Sequence, residues 1–222
     1  MRRVGPDIDA HRLELRTLRD YVKLYGSRGP QFEPGSRWEY GNYGFILLGL
    51  VVEKASGEDY YAYVRKHIYE PASMTATGSE PEDQPVMDRS VGYTKMGCTS
   101  QWHPNTDTLP PRGTSAGGGY STVEDLLRFA NALQGHKLLK ADYTELLTTG
   151  TVYTPGGRYG YGFEDQVING ARCFGHGGAA RGMKGDLKIC PGPGYVIAVL
   201  ANMDPPAAAR ESDFITSRLP QR

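Results

Sequence analysis

Near Gly150 the hydrophobic pattern of this chain changes its period, and that change limits the folds open to it. Before that point apolar residues recur every three or four positions, as on one face of a helix. After it, short strand-like runs at 159–163, 172–176, 185–190 and 195–201 are divided by glycines and prolines. Pro191-Gly192-Pro193-Gly194 is a tight turn between two of these runs, so an antiparallel meander is expected. Pro205 then leads into a closing helix over 207–219. Helices first, a meander second and a last helix make an α+β layout. It divides into an N-terminal extension (1–14), a mainly helical lobe (15–150) and a part carrying the sheet and final helix (151–222).

Within the helical lobe, Leu18, Tyr21, Val22 and Tyr25 are spaced for a helix over 15–25 that Gly26 stops. Residues 29–36 (Gly-Pro-Gln-Phe-Glu-Pro-Gly-Ser) cannot be regular structure. Residues 43–55 are apolar on nearly every side, which predicts a helix in the middle of a core, stopped by Gly57. A second helix over 59–69 closes at Pro71, and 78–112 carries so little periodicity that it reads as a long ordered loop. Ser121-Thr122-Val123-Glu124 has the form of a capping box for a helix that runs through Leu133 to Gly135. A short helix is expected over 141–147.

Composition excludes several classes. The 25 basic and 25 acidic residues cancel, so neither nucleic acid nor an anionic membrane is favoured as a partner. The longest apolar stretch, 45–52, is too short to span a bilayer. Arg2 and Arg3 lead into Asp7, Asp9, His11 and Arg12 rather than an apolar run, so no export signal is read and a soluble chain is expected. Cys98, Cys173 and Cys190 are too few for a disulfide scaffold and form no Cys-x-x-Cys pair. They are expected as small buried apolar residues. No cofactor is expected.

Three local patterns follow one another. In 32–44 a Pro34-Gly35 turn delivers Tyr40 and Asn42 to the mouth of the most apolar helix. Alone, such a Tyr-x-Asn is an ordinary helix N-cap beside a packed Tyr. In 115–122 (Ser-Ala-Gly-Gly-Gly-Tyr-Ser-Thr) the glycines suit a backbone pressed close to a neighbour. In 174–178 (Phe-Gly-His-Gly-Gly) His176 stands among glycines on a strand, where a substrate backbone can approach closely.

This combination resembles the serine β-lactamase, penicillin-binding protein and β-lactamase-like esterase superfamily, its class C-like branch in particular, over about 15–219. The resemblance implies the β-lactamase-like fold and hydrolysis of a small-molecule ester, or of a β-lactam or peptide amide. Tyr40-Gly41-Asn42 matches the Tyr-x-Asn motif. In that family the Tyr moves protons between nucleophile and leaving group, and the Asn holds the substrate's acyl amide or a neighbouring side chain. His176-Gly177-Gly178 matches the Lys-Thr-Gly strand motif in its His-x-Gly variant, found among esterase-like members, and implies Gly177 and Gly178 as substrate-binding positions. Tyr40, Asn42 and His176 are therefore expected to line one cleft between the two lobes.

One departure from the family pattern is large. A Ser-x-x-Lys motif upstream of Tyr-x-Asn supplies the acylated Ser and its Lys partner, yet no lysine here has Ser or Thr three positions before it. With 39 residues ahead of Tyr40, the chain is expected to be a fragment of a longer enzyme or a shortened relative. An uncovered apolar sheet face or edge would then favour a homodimer or a sticky monomer. Two alternatives stand beside the hydrolase reading: a non-catalytic relative that binds a ligand or partner, and an esterase using Ser115. Gly113-Thr114-Ser115-Ala116-Gly117 fits the Gly-x-Ser-x-Gly nucleophile elbow, but Pro110 and Pro111 precede it where a central strand is needed. His103 and Asp107 have no third ligand at a useful spacing for a metal.

Overall fold

The computed structural model describes residues 10–96 and 100–220. Helix α1 (Leu18–Tyr25) starts three residues later than its apolar spacing suggests, because the Asp20 carboxylate accepts from Thr17 N and Oγ1 and fixes the entry there. Leu18, Tyr21 and Tyr25 are buried and, with Leu15 and Ile46, form the core of this lobe. Helix α2 (Asn42–Ser56) ends at Gly57, which adopts the left-handed conformation at φ +74° that glycine tolerates best. Helix α3 (Tyr60–Val64) is capped by Asp59, which accepts from Tyr61 N and Ala62 N, and continues as a π-helical turn (Arg65–Tyr69).

The position expected for α2 at the centre of a core needs correction. Only a narrow strip, Ile46 and Gly49, is buried, against α1. Leu47, Leu48 and Val51 remain 41%, 57% and 59% exposed. An all-apolar helix can bury only the faces that other elements reach, and among the described residues nothing covers this one.

The segment after α3 contains a two-residue ladder, β1 (Tyr93–Thr94) against β2 (His103–Pro104). Helix α4 (Val123–Gln134) is capped by Thr122, whose Oγ1 accepts from Asp125 N, so the cap sits one residue beyond the Ser121–Glu124 box. Helix α5 (Ala141–Thr148) follows. The change from helix to strand falls between Thr148 and Val152.

The remaining strands are β3 (Val152–Thr154), β4 (Gly157–Tyr159), β5 (Glu164–Ile168), β6 (Ala171–Ala180), β7 (Met183–Cys190) and β8 (Tyr195–Ala201). They form one six-stranded antiparallel sheet in sequence order. Helix α6 (Ala207–Thr216) closes the chain, which is α+β throughout. On one side of the sheet Phe174 and Ile189 pack with Ala130 and Leu133 of α4. On the other, Cys173, Cys190 and Ile197 pack with Leu219. Each large apolar side chain buried in these layers stabilises the fold by about 1.5–3 kcal/mol.

Two features of β6 position the site. Gly175 lies so close to the β7 carbonyl of Leu187 that a Cβ there would overlap it, and only glycine fits. Pairing with β5 ends at Glu164–Gly175, whereas pairing with β7 continues to Ala180–Met183. Over residues 176–180 one side of β6 is therefore a free edge among the described residues.

The cysteine expectation is half overturned. Cys173 and Cys190 are buried as expected but joined as a disulfide, with Cα atoms 4.2 Å apart. The register that pairs Phe174 with Ile189 sets the two cysteines opposite each other on β6 and β7. Cys98 lies outside the described residues, as does the stretch 1–9 on which the export-signal reading rests.

Candidate active site

The turn at Pro34-Gly35 needs a left-handed residue, and Gly35 supplies it at φ +81°. Gly41, in an extended conformation, is the N-cap of α2, so Asn42 is the first helical residue rather than the cap. Tyr40 and Asn42 are exposed and line a cavity of about 2220 Å³ between the helical part and the sheet. His176, Gly177 and Gly178 line it too, from the free edge of β6. The structure thus brings the two motifs into one cleft across more than a hundred residues of sequence. Small-molecule pockets are usually ~300–1,000 Å³, so a small ligand would touch only part of this wall.

Where the motifs meet, the wall is aromatic. The Tyr40 ring lies 5.8 Å from His176, 6.2 Å from Tyr159 and 5.8 Å from Phe45, measured between centroids. Trp38 stands 5.5 Å from Tyr159 on the same wall. Burial, and then the Glu164 carboxylate, push the Tyr40 hydroxyl above its ordinary pKa, so it is a neutral phenol at neutral pH. Tyr159 Oη lies 3.0 Å from His176 Nε2, and His176 Nδ1 lies 2.6 Å from Gly177 O. At Gly177 a Cβ would come 2.8 Å from Asp186 Oδ1 and 3.2 Å from Lys184 Nζ, the ends of side chains that can shift aside.

Tyr159 and Trp38 were not legible as site residues. Tyr159 read only as part of a strand, and its bond to His176 depends on the strand register. Trp38 lies inside the Tyr-x-Asn segment, but nothing local in the sequence turns its ring toward β4.

Ser115 does not join the cleft. It sits in a turn closed by Thr114 N to Gly117 O at 2.8 Å and Gly117 N to Thr114 O at 3.0 Å, with neither a strand before it nor a helix directly after it. Its Oγ is buried without a hydrogen-bond partner, packed where a Cβ at Gly49 would fall, beside Leu18. Thr114 and Ala116 line the cavity, whereas Ser115 points the other way into the helices. The elbow match is therefore a match of letters: among the described residues no base stands within hydrogen-bond reach of this hydroxyl. A lysine–hydroxyl contact does exist, Lys188 Nζ to Ser212 Oγ at 3.1 Å, but it lies under α6 and outside the cavity. Among the described residues no three His, Cys, Asp or Glu side chains gather as a metal site requires, and no helix is long and apolar enough to cross a membrane.

Comparison with known proteins places this geometry. The family model described as Beta-lactamase matches residues 4–219. The mitochondrial serine beta-lactamase-like protein LACTB of Mus musculus is 36% identical over 113 residues, which cover 50% of this chain and 20% of that protein. A crystal structure of a penicillin binding protein from Bacillus halodurans superposes with a TM-score of 0.87 at 31% identity, covering 96% of this chain and 66% of the other. A D-stereospecific amidohydrolase from Streptomyces sp. gives a TM-score of 0.82 at 27% identity, covering 98% and 65%. The chain thus spans about two thirds of these solved chains and about a fifth of the mitochondrial protein.

Proposed function

The chain belongs to the beta-lactamase family of serine hydrolases, and from that premise we propose that it contributes one wall of an acyl-transfer site for a small ester or amide. The observation that carries this reading is the convergence of Tyr40 and Asn42 with the free edge of β6 at His176–Gly178. In this reading Tyr40, a neutral phenol, moves the proton between the attacking oxygen and the leaving group. Asn42 orients the acyl amide. The exposed main-chain groups beside Gly177 and Gly178 take the substrate backbone as a further strand would. These groups orient and polarise a carbonyl, but an acyl-enzyme also needs a hydroxyl with a base in hydrogen-bond reach.

This sequence has no Ser-x-x-Lys, and Ser115 faces away from the cleft. We therefore expect the 222-residue chain to bind ligands of this class with weak turnover of short-chain nitrophenyl esters, or none. The same absence of a Ser-x-x-Lys motif from this sequence favours a second reading, a relative that binds without turnover. Intact-mass measurement after incubation with a penicillin and with a fluorophosphonate tests the expectation. No adduct should form. A stoichiometric adduct on Ser115 would restore the elbow reading, and one on another hydroxyl would reveal a nucleophile recruited within this fold. Equilibrium dialysis with the same penicillin separates the two readings from a chain that binds nothing.

A further inference from the structure

The bonds around His176 give Tyr159 a task of its own. His176 Nδ1 lies 2.6 Å from Gly177 O, and a carbonyl oxygen only accepts, so Nδ1 carries the proton of that bond. In the neutral ring Nε2 is then an acceptor with no proton. The Tyr159 hydroxyl, 3.0 Å away, donates to it. Burial, followed by the neighbouring Tyr40 and Glu164, pushes the Tyr159 phenol well above its ordinary pKa, so that proton stays available to donate. Tyr159 is itself held in place: it is buried, it meets His176 edge-on at 86°, and Trp38 and Tyr40 flank it.

We propose that Tyr159 is a positioning residue whose hydroxyl fixes His176 as its Nδ1–H tautomer and holds the imidazole against the free edge of β6. The proposal rests on reading His176 as a site residue and deepens that reading. Both ring nitrogens are engaged, one by Gly177 and one by Tyr159. His176 therefore offers a bound ligand no free lone pair and does not serve as a general base. It shapes the cleft with its ring, and any proton it exchanges passes through the Tyr159 hydroxyl. Proton handling toward the ligand stays with Tyr40.

The test is spectroscopic and needs no turnover. Long-range proton–nitrogen correlation on the 15N-labelled full chain, at about pH 8.5 where a histidine with an ordinary pKa near 6.5 is neutral, reports which ring nitrogen carries hydrogen. A His176→Asn sample assigns the signals. In the unmodified protein Nδ1 should appear protonated and Nε2 as a hydrogen-bonded acceptor. Tyr159→Phe keeps the ring and removes the donor, so Nε2 should move to the shift of an unbonded acceptor and the Nε2–H form should become populated. An Nε2–H tautomer in the unmodified protein, or an Nε2 signal unmoved by the substitution, overturns the proposal. If Tyr159→Phe fails to fold, the tautomer of the unmodified protein still decides. The result is independent of penicillin labelling and binding, so failure of the proposed function and failure of this proposal are read from different experiments.

Discussion

Replacing Asp125 should loosen the far wall of the cleft, by an amount that can be worked out from its bonds. The side chain is fully buried at the start of α4. It accepts from Ala76 N at 2.8 Å and Thr77 Oγ1 at 2.8 Å, and Arg128 Nη1 lies 2.6 Å from its other oxygen. Those bonds tie the loop before Gly78, which pairs with Tyr120 across the cavity wall, to the helix. A hydrogen bond to a charged group contributes about 1.5–3 kcal/mol, and the half-exposed Arg128 about 0–1 kcal/mol after solvent screening. With two such bonds, Asp125→Ala should therefore cost about 3–7 kcal/mol, which for a chain of this size lowers Tm by roughly 6–28 °C. Asp125→Asn, which keeps one acceptor, should cost less. Burial alone would raise the Asp125 pKa, but Thr77, the Ala76 amide and Arg128 outweigh it, and the folded value lies below the ordinary one. The sign follows: the contribution is fully present above the unfolded value, about 3.9, and is lost as pH falls through the folded value. The stability gap between the parent and Asp125→Asn should be flat at neutral pH and narrow in acid. Urea melts followed by circular dichroism at several pH values measure both effects. An Asp125→Ala protein within about 1 kcal/mol of the parent, or a gap that widens in acid, would refute the reasoning.

Two further outcomes are expected. Removing the Cys173–Cys190 link by a double Cys→Ser change should lower stability by about 3 kcal/mol, the value for a loop of this order; peptides bearing the two cysteines should stay joined in a digest until reduced. We also propose that the bare face of α2 pairs with a second copy of the chain. Sedimentation should show a dimer that Leu48→Glu with Val51→Glu disperses, and a monomer at high concentration in the parent protein would count against it.

The sequence carried the parts of the fold that local chemistry decides. Gly57 ends α2 because a left-handed residue is needed there, and the turn-rich 191–194 joins two strands that pair throughout. The Tyr-x-Asn and His-Gly-Gly segments were legible through their resemblance to family motifs that occur together in this order, and neither segment alone would have marked a site. What depends on tertiary register was not. Strands β3 to β5 are short and mixed in polarity, so periodicity over 150–170 recovered only the neighbourhood of Tyr159. The disulfide and the Tyr159–His176 bond each join residues 17 positions apart through strand pairing, and no local pattern encodes that. The cap of α4 slipped by one residue because Asp125 N donates to Thr122 Oγ1, while the Ser121 hydroxyl is engaged by Thr77 Oγ1 instead. For α2, hydrophobicity all round stated how much apolar surface exists and not which neighbour covers it.

The free side of β6 also sets a reading frame. A ligand with an extended backbone that pairs with residues 176–180 would present successive side chains alternately to the cleft and away from it, so every second substituent goes unread. What such an edge inspects is whether an N–H stands at the pairing position. A proline or an N-methyl group placed there forfeits the bond, while the same group one position along is tolerated. Discrimination at this wall would then fall first on the ligand's main chain, and only afterwards on what hangs from it.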